Sequence, residues 1–293
     1  MSTGTSSWIP RKRIRFAVGL ALAFAVVGVT GSVWSRAALA FLVPALGAGW
    51  TAFLMLRIRQ QLSPGGGGWE RRIHELVVSR VGLSSDSQVS VLDIGCGDAS
   101  LLVGLLEHAP AVTASGVDFW GSNWEYAQSA CESRVSSLGL RAVFRRMDAA
   151  RLEFPDESFD VVVSVMCFHE VRAPAGATMR GPLMALSEAL RVLRPGGVFV
   201  LVDRFAAAAD YGDTAELAAV LRSTTGLRRE SLVATLGVPW PLKTKRAMGP
   251  VEVLSGRKLT TRSDASARAP GDFVSLAHGC PSWVKTRPSE LTS

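Results

Sequence analysis

Residues 91–100 read VLDIGCGDAS, and how that stretch folds decides the architecture around it. An apolar run meets an acid, turns on two glycines one residue apart, and leaves through small residues compatible with a helix. Gly95 and Gly97 allow the backbone to turn sharply and to approach a ligand closely. A helix that starts here offers free N–H groups and the positive end of its dipole. The stretch therefore predicts strand, turn, helix, with a ligand above the turn, where ligands sit in open α/β sheets. Asp93 is expected to end the strand facing that crevice.

Working outward, apolar and amphipathic segments alternate. In WERRIHELVVSRVGL (69–83), Ile73, Leu76, Val77 and Val81 fall at helical spacing. Strands are expected at 89–94, 112–117, 141–146, 159–165 and 198–203, and helices at 99–107, 124–137, 183–193 and 213–221. Ser122 and Glu125 form an S-x-x-E capping pair for the helix at 124. In LRPGG (193–197), Pro195 ends a helix and the glycines turn the chain into the next strand. Residues 231–236 and 251–254 are read as the last two strands. Strands alternating with helices mean an α/β fold with a parallel sheet covered on both faces.

The N-terminus is of another kind. Phe16 to Trp34 is 19 residues without a charge, and Ala37 to Leu56 is 20 more. At about 1.5 Å per residue, each run covers a bilayer core of roughly 30 Å. Arg11–Arg15 and Ala38-Leu39-Ala40 also resemble a secretory signal and its cleavage site. A second full-length run follows, which favours a retained hairpin of two spans. RKRIR precedes the first span and RIR (57–59) follows the second, with only Arg36 between. The positive-inside rule then places both ends, and the domain that follows, in the cytoplasm. The expected layout is a basic N-terminus (1–15), a hairpin (16–57), a glycine-rich linker (58–68), a folded domain (69–260) and a polar tail (261–293). The linker is short enough to keep the domain at the membrane surface.

Charge and cysteine usage narrow the function. The net charge is +7, yet residues 1–72 alone carry nine basic residues against Glu70, leaving the rest slightly acidic. Nothing in the main domain's charge speaks for nucleic acid. Cys96, Cys131, Cys167 and Cys280 are widely spaced and form no CxxC or Cys/His cluster, so no metal site is expected.

The ligand follows from the acid. A dinucleotide loop prefers G-x-G-x-x-G, but Ser100 takes the sixth place here. A carboxylate at Asp93 would repel a pyrophosphate and attract a cationic amino-acid moiety. That weighs against a nicotinamide oxidoreductase. VLDIGCGDAS resembles motif I of the class I S-adenosylmethionine-dependent methyltransferases, with Ala99 where the family has its third glycine. GVDFW (116–120), RRMDAARLEFPDESFDVVVS (145–164) and LRPGG match further family segments in order. The resemblance implies a Rossmann-like, seven-stranded, mostly parallel sheet with helices on both faces. It implies S-adenosyl-L-methionine as cofactor, held by Asp93, Gly95, Cys96, Gly97, Asp118, Phe119, Asp148 and Ala149. Asp118 would bond the ribose hydroxyls and Asp148 the adenine amino group, with Ala149 beside the ring. Trp120 would cover the adenine or ribose face, or pack in the core.

Methyl transfer needs in-line placement, and a base only where the nucleophile is protonated. His169, in VMCFHEV (165–171), is the candidate base at the end of the fourth strand; the alternative is that it packs or caps a turn. The hairpin points to a small-molecule or lipid-like methyl acceptor taken from the membrane. A non-catalytic S-adenosylmethionine sensor or assembly module on the same membrane is the alternative.

Overall fold

The computed structural model describes residues 8–121 and 127–260. The chain opens with two antiparallel helices, α1 (Arg11–Gly31) and α2 (Leu42–Leu62), joined by a 3-10 turn over Arg36–Phe41. Together with that turn, both are long and apolar enough to cross a membrane. Little of either is buried: Leu22 is 62 % exposed, Val43 72 % and Leu46 75 %. A helix that served as a soluble core would bury such side chains.

Helix α2 runs on to Leu62, and Ser63–Gly68 closes a compact turn in which Gly67 and Gly68 donate to the carbonyls of Gln60 and Ser63. A side chain at Gly66 would collide with the Gln60 carbonyl, so the glycines here make a tight corner. α3 (Trp69–Val81) follows at once and buries Trp69, Ile73, Val77 and Val81. Each such side chain contributes roughly 1.5–3 kcal/mol by leaving water.

The domain then alternates as β1 (Ser90–Ile94), α4 (Ser100–His108), β2 (Thr113–Asp118), α5 (Gln128–Ser137), β3 (Ala142–Arg146), β4 (Phe159–Val165), α6 (Gly181–Val192) and β5 (Leu193–Asp203). It closes with α7 (Ala208–Tyr211), α8 (Thr214–Val220), β6 (Thr224–Ser231), α9 (Leu232–Leu236) and β7 (Glu252–Lys258). The seven strands lie in the order β3-β2-β1-β4-β5-β7-β6. β7 runs antiparallel to both neighbours and the other pairings are parallel. This is the expected seven-stranded, mostly parallel α/β sheet.

Side chains alternate between two cores, one on each face. Val91, Val161, Val163, Val200 and Val202 face the α3–α4 side, and Leu92, Val162, Phe199 and Leu201 face the α6 side. The order reverses at β1/β4: β2 and β3 lie to one side, and β5, β7 and β6 to the other. That switch point opens a crevice at the carboxyl ends of β1 and β4.

Three expectations are corrected. Residues 231–236 are the short helix α9, capped by Ser231, and the edge strand lies just before it at Thr224–Ser231. A six-residue apolar run cannot by itself distinguish helix from strand. α5 begins at Gln128 after an extended Ala127, later than the 124 expected; Ser122 and Glu125 lie outside the described residues. LRPGG is not a turn ahead of the strand but its bulged beginning. Phe159 pairs with Leu193 and Val161 with Val198, so Arg194–Gly197 loop out against one residue. The tail beyond Thr260 also lies outside the described residues.

Candidate active site

The loop after β1 folds as its glycines require. Gly95 and Gly97 have φ of 78° and 56°, and Ala99, where the family has glycine, takes φ 65°. Left-handed backbone is cheap for glycine and costs a residue with a Cβ about 1–2 kcal/mol. A side chain at Gly95 would strike Cys167, at the end of β4. The loop therefore holds its shape with one strained alanine, buried at the entry to α4.

Gly97 is pinned on both sides of its peptide. Its N–H donates to Asp118 Oδ2 at 3.0 Å, and its carbonyl accepts from Trp120 Nε1 at 3.0 Å and from the Cys131 thiol at 3.1 Å. Asp118 Oδ1 accepts from the Trp120 N–H at 2.8 Å. Trp120 thus braces the glycine loop. Each Asp118 oxygen accepts one backbone hydrogen and keeps capacity for a further hydroxyl. Burial raises the Asp118 carboxyl, against the opposing backbone N–H groups of Trp120, Gly97 and Phe119.

Asp93 is 1 % exposed. Its Oδ2 is buried with no hydrogen-bond partner among the described residues. Burial, then the charges of Asp118 and Asp98, push its carboxyl well above the ordinary 3.8. An orphaned buried carboxylate oxygen beside a glycine loop is a site made for a cation.

Across the switch point, His169 sits in a 3-10 turn over Phe168–Glu170. Its Nδ1 lies 2.8 Å from Oδ1 of Asp203, the last residue of β5, and its backbone N–H donates to Oδ2 at 3.3 Å. Asp203 is 2 % exposed. Burial depresses the imidazole, but the Asp203 hydrogen bond and the charges of Asp203 and Glu170 outweigh it, leaving the pKa above the ordinary 6.5. With Nδ1–H donating to Asp203, Nε2 is the basic nitrogen, 3.7 Å from Glu170 Oε1.

One cavity of about 900 Å3 joins these parts. All nine residues singled out from the sequence line it: Asp93, Gly95, Cys96, Gly97, Asp118, Phe119, Asp148, Ala149 and His169. Asp148 is exposed on the loop after β3, where its Oδ1 accepts from the Ala150 N–H at 2.9 Å. Phe119 is 59 % exposed and carries the Arg146 guanidinium 4.8 Å above its ring. Sequence reasoning missed three groups. Asp203 had a signal, since VLVD ends a strand beside β4 with an acid. Glu70 and His74, one turn apart on α3, line the cavity, as do residues of α1 and α2. Burial, followed by the Asp98 charge, raises Glu70 to about 8, while burial lowers His74 to about 4.

The residues fit an S-adenosylmethionine site. The unpartnered Asp93 oxygen suits its cationic amino-acid end, the Asp118 carboxylate suits a ribose, and the glycine loop admits close approach. Residues 92–201 match the family model described as a methyltransferase domain. Over 118 residues the chain is 39 % identical to phosphatidylethanolamine N-methyltransferase of Cereibacter sphaeroides, covering 40 % of this chain and 51 % of that protein. Over 135 residues it is 30 % identical to demethylmenaquinone methyltransferase of Thermus thermophilus, covering 46 % and 53 %. Over 113 residues it is 31 % identical to sterol 24-C-methyltransferase of Yarrowia lipolytica, covering 38 % and 26 %. The chain spans about half the length, or less, of these curated relatives. Residues 92–201 are thus a methyltransferase domain, similar over this stretch to S-adenosylmethionine-dependent methyltransferases.

Proposed function

We propose that the protein is a membrane-anchored methyltransferase that moves a methyl group from S-adenosylmethionine to a small, membrane-soluble acceptor. The observation that carries this is a cavity lined by Asp93, whose buried Oδ2 has no hydrogen-bond partner among the described residues, by the glycine loop and by His169, which Asp203 holds from behind. A module that only bound the cofactor would have no use for a histidine oriented by a buried carboxylate.

When bound, S-adenosylmethionine supplies a methyl group on a cationic sulfur. The chain's residues do the rest. Asp93 accepts the ammonium of the methionine moiety. Asp118 accepts the ribose hydroxyls, and Asp148 the adenine amino group, with Ala149 beside the ring. His169 Nε2 takes the proton that the acceptor's nucleophile loses as its bond to the methyl carbon forms and the sulfur–carbon bond breaks. Asp203 holds the tautomer and stabilises the imidazolium that results.

The exposed apolar hairpin supports the anchor, and its basic flanks support cytoplasmic ends held against anionic headgroups. The names of the three relatives denote acceptors of low water solubility, which supports an acceptor drawn from the bilayer. The test is calorimetry with S-adenosylhomocysteine on the wild type, Asp93→Ala and Asp118→Ala, together with labelled-methyl incorporation into a membrane extract. Loss of affinity in both variants and label in the extract are expected. Unchanged affinity in both would sink the site assignment; binding without incorporation across many acceptors would favour the non-catalytic sensor.

A further inference from the structure

We infer that the hairpin forms a wall of the acceptor site, and that the acceptor is an amphiphile whose apolar chain lies along one face of α2. This rests on the methyltransferase reading above. Thr51, Leu54, Met55 and Ile58 all line the cavity that holds Asp93 and His169. Their spacing of three, one and three residues is one stripe of an α-helix. The other side of α2 is exposed, with Trp50 56 %, Phe53 43 % and Leu56 50 % accessible. A helix that served only as one arm of an anchor would face lipid or α1 and line no cavity of the folded domain. This one turns a face of partly buried side chains into the catalytic cavity.

The hairpin ends are docked there. The Arg59 guanidinium of α2 donates to the Ile9 carbonyl ahead of α1, Arg13 of α1 lies 3.7 Å from Glu170 beside His169, and Trp8 lies 6.2 Å from the ring of His74. Both spans therefore meet the cavity at the same membrane surface, the surface that carries the domain. Val171 and Met248, outside the hairpin, add apolar lining to the same cavity. At about 900 Å3 the cavity is at the upper end of the roughly 300–1,000 Å3 that holds one ligand, which leaves room for a chain beside the cofactor. The Thr51 hydroxyl already donates to the Gly47 carbonyl at 2.9 Å, so it asks nothing of a hydrocarbon chain. An acceptor dissolved in the bilayer can thus pass its head to His169 while its chain stays against α2.

The experiment is photolabelling of the full-length protein in phospholipid nanodiscs that contain a trace of palmitic acid with a mid-chain diazirine. Adducts are mapped by mass spectrometry, and S-adenosylhomocysteine affinity is measured alongside. Label on Met248 and Val171, outside the hairpin, is expected in addition to label on the lipid-facing Leu46. Leu54→Trp and Met55→Trp, which fill the groove, should cut the Met248 label about tenfold while the Leu46 label stays the same. Label confined to outer-face residues in the wild type overturns the inference without any variant, as does an unchanged Met248 label in both variants. Absence of S-adenosylhomocysteine binding would instead remove the methyltransferase reading, since the labelling pattern does not depend on it.

Discussion

Asp93 and His169 are opposite solutions to burying a charge. Asp93 has no partner for one oxygen among the described residues, and burial raises its carboxyl well above the ordinary 3.8. A folded pKa raised above the unfolded 3.8 gives stability that is full below that value and is lost as pH rises through the folded pKa. Asp93→Asn should therefore raise the melting temperature of the cofactor-free protein at neutral pH and flatten its fall with pH. The same change should weaken S-adenosylhomocysteine binding by about tenfold or more, since an amide offers no charge to an ammonium. A pH series of thermal melts with titration calorimetry checks both. His169 has its partner. Asp203→Asn should lower kcat/KM about 100- to 10,000-fold for an acceptor that must lose a proton. It should also shift the rising limb of the pH profile downward, because the Asp203 bond and charge hold the imidazole pKa up. A pure packing role for Asp203 would leave that limb in place.

At the scale of elements, the glycine loop is a braced part rather than a flexible one. Trp120 donates into the Gly97 carbonyl, so Trp120→Phe removes one hydrogen bond worth about 0.5–1.5 kcal/mol while keeping an aromatic ring. S-adenosylhomocysteine affinity should fall several-fold, with the fold's circular dichroism unchanged. Much of this was legible beforehand. The alternation VLDI, FDVVVSV and VFVLVD sets both cores, and the two glycines after β1 locate the crevice. What was illegible has physical causes. TTGLRRES (224–231) is an edge strand whose charges are answered only in the fold: Arg229 meets Glu252 at 2.8 Å and Glu230 meets Arg80 at 2.7 Å. In sequence those charges mask the strand, while the apolar SLVATL next to it imitates one. The bulge at LRPGG was hidden because its glycines serve a turn or a bulge equally well.

At the scale of the whole molecule, a methyltransferase domain with its amphipathic helix α3 meets a helical hairpin that closes one side of the cavity. Glu70 belongs to that closure. Burial raises it from 4.5 to about 8, so the cofactor-free protein loses stability as pH climbs across that window. Glu70→Gln should remove that slope and raise the melting temperature above pH 8, by roughly 2–4 °C for each kcal/mol recovered. The two long apolar helices were plain in the sequence as apolar runs. Their share in the cavity was not, because a stripe of Thr51, Leu54, Met55 and Ile58 inside an already apolar helix has no contrast to show. The most direct measurement is transfer of labelled methyl from S-adenosylmethionine by the full-length protein, incubated in membranes and followed by organic extraction. Label should enter the organic phase with the wild type and be lost with Asp93→Asn. Tight cofactor binding with no label leaving the aqueous phase would contradict the account.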